Sequence, residues 1–84
     1  MKDDARTRLR AMLDRFVRGE DRSVRYANEI EELLSRDFRN TPIYDELVED
    51  LATYRPGGGQ FLIDEPRLAR KFEFAIREWL SDPL

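Results

Sequence analysis

Residues 41–51 read Thr41-Pro42-Ile43-Tyr44-Asp45-Glu46-Leu47-Val48-Glu49-Asp50-Leu51. Placed at about 100° per residue, Ile43, Tyr44, Leu47, Val48, Leu51 and then Tyr54 cover one arc, and Asp45, Glu46, Glu49 and Asp50 cover the opposite one. Only a helix separates the two classes so cleanly. Its start is marked by Thr41 as N-cap and Pro42 at the first helical position, where proline gives up no hydrogen bond. Pro56-Gly57-Gly58-Gly59 stops it, so the segment spans about 42–55.

The same periodicity extends in both directions. Upstream, Ser23 caps a helix over about 24–38, with Tyr26, Ala27, Ile30, Leu33, Leu34 and Phe38 on one side and Asn28, Glu29, Glu31 and Glu32 away from it. Before it, residues 4–18 place Ala5, Leu9, Met12, Leu13, Phe16 and Val17 on one face and Arg8, Arg10, Asp14, Arg15 and Arg18 opposite. Asp3 and Asp4 suit the positive end of that first helix, and Gly19 takes the left-handed conformation that ends it. Downstream, Asp64 caps a last helix over about 65–80, with Ile63 and Leu68 at hydrophobic-staple spacing. Leu68, Phe72, Ala75, Ile76, Trp79 and Leu80 form its apolar face, and Ser81-Asp82-Pro83 is its exit. Gln60 to Ile63 runs briefly extended, but no segment alternates with period two over a useful length. The expectation is an all-α, compact four-helix bundle with short connections, one domain over residues 1–84, with Phe16, Leu34, Leu47, Phe72 and Trp79 in one core.

Composition narrows the chemistry. The chain contains neither His nor Cys, so it has no ordinary catalytic triad, no thiolate nucleophile and no imidazole metal site. Carboxylate pairs can do acid–base work only where burial raises one pKa, and the acids here fall on faces that periodicity assigns to solvent. No enzyme activity, metal or cofactor is expected. Arg55-Pro56-Gly57-Gly58-Gly59-Gln60 is not a phosphate loop, since it lacks the Gly-Lys-Ser/Thr ending and follows a helix instead of a strand. With no apolar run near the roughly 18 residues that span a membrane, and no signal-like segment after Met1, the expected setting is the cytoplasm, with no membrane partner.

Charge is segregated. Residues 26–54 hold eight carboxylates and two arginines, a local charge of −6 in a chain whose total is −3. Residues 1–25 lean the other way, at +3, and residues 55–84 balance. A concentrated acidic surface attracts a basic partner and repels nucleic acid. Within it, Asp45/Glu49 and Glu46/Asp50 are like-charge i,i+4 pairs, each costing roughly 0.2–0.5 kcal/mol, and Glu49 and Asp50 also lie toward the unfavourable end of the helix dipole. Such a violation of local rules marks a binding face; the competing reading is a solubilising face neutralised by arginines of the first helix. The arginine face of that helix offers phosphate contacts instead, although it carries no interleaved aromatics. Phe74 lies off the apolar arc of the last helix, between Arg70, Arg77 and Glu78. Either Phe61 or Leu62 folds over it, or it is an exposed anchor for a partner.

In their order and spacing, Leu13-x-x-Phe16-x-x-Gly19, Tyr54-x-Pro56, Phe61-x-Ile63-Asp64-Glu65-x-x-Leu68 and a closing helix to Leu80 resemble the colicin D immunity protein family of bacterial self-protective immunity proteins. The resemblance spans about residues 9–80. It implies a small helical inhibitor that binds the toxic domain of a bacteriocin, covering a basic nuclease active site with acids that take the place of RNA phosphates. In a member of this family, acids that contribute to toxin binding flank the aromatic-x-Pro turn, where this chain has Arg55 and Gly57. Those site residues therefore do not carry over, and the target need not be a transfer-RNA nuclease. The candidate toxin-binding residues are Asp45, Glu46, Glu49 and Asp50, followed by Glu29, Glu31 and Glu32. The expected protein is a monomer when free, with a cognate nuclease-like toxin as partner and no affinity for nucleic acid. The alternative is a small regulatory or nucleic-acid-binding module using the arginine-rich first helix.

Overall fold

A computed structural model of the chain describes residues 2–60 and 62–80, with side chains from Asp4 onward. It contains four α-helices, α1 (Lys2–Val17), α2 (Val24–Asp37), α3 (Pro42–Ala52) and α4 (Glu65–Ala75), the last continuing as a π-helical turn over Ile76–Leu80. α1 packs on α2 and α4, and α3 packs on α2 and α4, which closes the four helices into a bundle. There is no strand among the described residues, only isolated bridges between Tyr54 and Ile63 and between Gly59 and Leu62.

The helix starts follow from local chemistry. Ser23, Thr41 and Asp64 each hold an extended backbone and accept, through the side chain, the amide N–H of Tyr26, Tyr44 and Arg67 respectively, satisfying donors that have no partner inside the helix. α1 ends in a Schellman motif: Gly19 (φ 80°) donates to the Phe16 carbonyl at 3.0 Å and Glu20 donates to that of Arg15 at 2.9 Å. Arg22 completes the stop. Its Nε and Nη2 donate to the carbonyls of Phe16 and Val17, both at 2.7 Å, and its guanidinium carbon lies 5.6 Å from the Phe16 ring centroid.

The α3–α4 connection is a built loop. Arg55-Pro56-Gly57-Gly58 forms a turn closed by a 2.9 Å bond from Gly58 N–H to the Arg55 carbonyl, with Gly57 at φ 84°, the third-position geometry of a type II turn. The Glu65 carboxylate accepts the Gly57 N–H at 2.8 Å, and this bond draws its pKa below the usual carboxylate value. Ile63 donates to the Thr53 carbonyl and accepts from the Arg55 N–H, which pins the returning chain beside the end of α3. The pinning accounts for α3 ending at Ala52, three residues short of the expected span, and the brief extension expected before Asp64 is this pairing.

Among the described residues the core is apolar throughout and includes Leu9, Leu13, Phe16, Ile30, Leu34, Leu47, Leu68 and Phe72. Phe16 is at its centre, edge-on to Tyr54 at 5.4 Å and to Phe72 at 4.9 Å. Of the five residues expected together, Phe16, Leu34, Leu47 and Phe72 are buried, but Trp79 is only partly so. The π turn turns Trp79 away from the core. Its bonds run i→i+5, so each residue advances less than in an α-helix, and the last residues fall behind by about one position. Leu80 thereby takes the core position that α-periodicity assigned to Trp79, at 3% exposure. Trp79 is left beside Phe74, edge-on at 5.6 Å between ring centroids.

Of the two residues expected to cover Phe74, only Leu62 lies among the described residues. The ring partner of Phe74 is Trp79, Phe74 stays 39% exposed, and Leu62 lies instead along the space between α3 and α4. Phe61, the expected exit Ser81-Asp82-Pro83 and the side chain of Asp3 lie outside the described residues. No helix among the described residues is long and apolar enough to cross a membrane.

Candidate functional site

Ile43, Leu47 and Leu51 seat α3 on the core, and this fixes where its acids point. Asp45 and Glu49 are exposed, whereas Glu46 and Asp50 are half-buried and turned toward α4. There Lys71 Nζ lies 3.5 Å from Glu46 Oε1 and 3.8 Å from Asp50 Oδ2. The expectation that all four acids face open solvent thus fails for two of them. The neutralising cation comes from α4, because α4 and not α1 is the helix packed beside α3.

Asp50 is electrostatically the most perturbed acid of the group. Its side chain is 22% exposed, and Oδ2 is buried with no hydrogen-bond partner among the described residues. Burial pushes its carboxyl above the ordinary Asp value, the neighbouring Glu46 and Glu49 add to that, and Lys71 opposes it. Asp45 and Glu49 have no ion pair among the described residues, so the like-charge cost read from the sequence remains uncompensated at this pair.

The acids of α2 form a separate group. Glu29 and Glu32 line a shallow cleft of about 210 Å³ with Arg8, Met12, Leu33 and Arg36, between α1 and α2. Glu31 is half-buried. Of the arginines of the first helix, Arg8 shares this cleft with Glu29 and Glu32. The fold does not gather all seven candidate acids into one cleft: Glu29 and Glu32 flank α1, and Glu46 and Asp50 flank α4.

Two features escaped the sequence. Lys71 showed no periodic or motif signal, and only its i+4 spacing from Arg67 set it on the same strip of α4. The second is an open groove of about 560 Å³ between α3, the loop and α4, lined by Asp50, Thr53, Gly59, Leu62, Ile63, Arg67, Arg70 and Lys71. Among the described residues no group of three or more His, Cys, Asp or Glu is placed to hold a metal ion. No family model, no curated protein and no solved structure matches the chain.

Proposed function

We propose that the protein is a bacteriocin or toxin immunity protein that binds a cognate nuclease-like toxin domain and occludes its basic active site with the acidic surface of α3. The observation that carries this reading is the exposed Asp45/Glu49 pair, two like charges one turn apart with no internal counter-ion among the described residues. An uncompensated pair on a rigid helix is unfavourable in the free protein and becomes favourable once a partner supplies cations. Glu46 and Asp50 lie beside it, and Asp50 is already partly desolvated, so less solvation is lost when a toxin arginine or lysine approaches. Glu29, Glu31 and Glu32 extend the negative field that steers a basic partner. The resemblance to colicin-type immunity proteins supplies the partner class.

In this reading the protein is a cytoplasmic monomer when free, has no catalytic role or cofactor, and does not bind nucleic acid. The nucleic-acid alternative is weakened by the state of the α1 arginines. Arg18 pairs with Asp14 at 2.8 Å and with Glu20 at 3.3 Å, Arg15 lies 5.6 Å from the Tyr26 ring centroid, and Arg10 donates to the Leu80 carbonyl at 3.4 Å.

The test is charge reversal at Asp45 and Glu49 together, which spares the Lys71 contacts and the core. Association with the toxin encoded in the adjacent reading frame should slow by about tenfold or more at low salt, and protection of cells should fall. Reversal of Arg8 and Arg10 should leave both intact. Full protection by the Asp45→Lys/Glu49→Lys protein would sink the reading.

A further inference from the structure

We propose that the groove between α3 and α4 is a binding site for a small oxyanion, a carboxylate or phosphate carried on an apolar body. Three cations of α4, Arg67, Arg70 and Lys71, line it at i, i+3 and i+4, the spacing that puts side chains on one helical strip. Against them stands a single carboxylate, Asp50. Arg67 and Arg70 are exposed and have no ion pair among the described residues, so their guanidinium forks are open to a planar or tetrahedral oxyanion. Lys71 is held only at 3.5 and 3.8 Å by Glu46 and Asp50, beyond the roughly 2.7–2.9 Å of a strong charge-assisted bond, and can turn toward an incoming anion.

The loop side of the groove offers an apolar wall. Leu62 and Ile63 are half-buried and line the groove from the loop side, where the bond between Ile63 N–H and the Thr53 carbonyl at 3.1 Å fixes their position. Gly59 packs closely on Leu62, where a Cβ would meet Leu62 Cδ1 at 3.1 Å. The volume of about 560 Å³ falls within the roughly 300–1,000 Å³ of small-molecule sites, which combine apolar walls with a few convergent polar groups. Asp45 and Glu49, the exposed pair that carries the toxin-binding reading, do not line this groove; of the α3 acids only Asp50 does.

The site is tested by NMR titration of the full chain with inorganic phosphate, phenyl phosphate and 3-phenylpropionate at low ionic strength, following Gly59, Leu62 and the Nε–H groups of Arg67 and Arg70. Phenyl phosphate or phenylpropionate should saturate with a Kd of about 1 mM and bind more tightly than inorganic phosphate. Whichever of the two binds more tightly identifies the head group. Arg67→Gln with Arg70→Gln should raise that Kd about tenfold or more, while Asp50→Asn, which removes the repelling charge, should lower it. Circular dichroism checks that each variant keeps its helices, and Arg67→Lys with Arg70→Lys should restore part of the affinity through charge without the fork. Shifts that do not saturate by about 20 mM overturn the proposal, as does a Gln pair whose Kd stays within about twofold, or an Asp50→Asn protein that binds more weakly.

Discussion

Replacing Arg22 by methionine removes the guanidinium that closes α1 while keeping an unbranched stem over Phe16. In the native chain that group donates two bonds of 2.7 Å, to the Phe16 and Val17 carbonyls. Hydrogen bonds from a charged donor contribute about 1.5–3 kcal/mol each when both partners are withdrawn from water. The two losses are unequal here. The Phe16 carbonyl keeps its 3.0 Å bond from the Gly19 N–H, so only the Val17 carbonyl must find water in the variant. One full bond, and not two, is therefore the measure, giving a loss of about 1.5–3 kcal/mol. For a domain of this size each kcal/mol lowers the Tm by about 4–8 °C, so the melting point should drop by roughly 6–24 °C. The assay is urea and thermal unfolding followed by circular dichroism, with Arg25→Met, on the exposed side of α2, as the reference. An Arg22→Met protein within about 0.5 kcal/mol of the native one would refute the assignment of Arg22 as the C-terminal cap of α1, since that is the range of ordinary surface substitutions.

Asp64→Ala removes the side chain that accepts the Arg67 N–H and should cost about 0.5–2 kcal/mol in the same unfolding assay, with Asp64→Asn largely restoring it. Tyr54 is held neutral by burial, its phenol pushed up to about 12, and its hydroxyl donates to the Arg22 carbonyl. Because the folded pKa exceeds the unfolded one near 10, this contribution is complete below about pH 10 and is lost as pH rises toward 12. Tyr54→Phe should be less stable than the native protein by about 1 kcal/mol at pH 7, and its stability should fall less steeply between pH 10 and about 12. Equal alkaline slopes would show that Tyr54 is not the group responsible.

The helix boundaries were legible because their causes are local. A hydroxyl or carboxylate at Ser23, Thr41 or Asp64 finds an amide three residues ahead, and Gly19 accepts a left-handed backbone without penalty, whatever the rest of the chain does. The apolar arcs were equally legible wherever the helix keeps its 3.6-residue turn. They failed at Trp79, where the winding changes to a π turn that periodicity cannot anticipate.

The candidate site was legible only in its residues. Residue spacing alone puts four acids on one face of α3 and sets like charges against each other there, because intrahelical distances are fixed by backbone geometry. Which of those acids are compensated was decided by tertiary structure. Packing α3 against α4 brings Lys71, more than twenty residues away in the chain, to Glu46 and Asp50 and leaves Asp45 and Glu49 without it. The same contact, with the loop folded back by Ile63 on Thr53, creates a cationic groove from residues that carry no shared motif. Charge interactions depend on distance through space, and distances between helices are set by how the core packs, which no local pattern encodes.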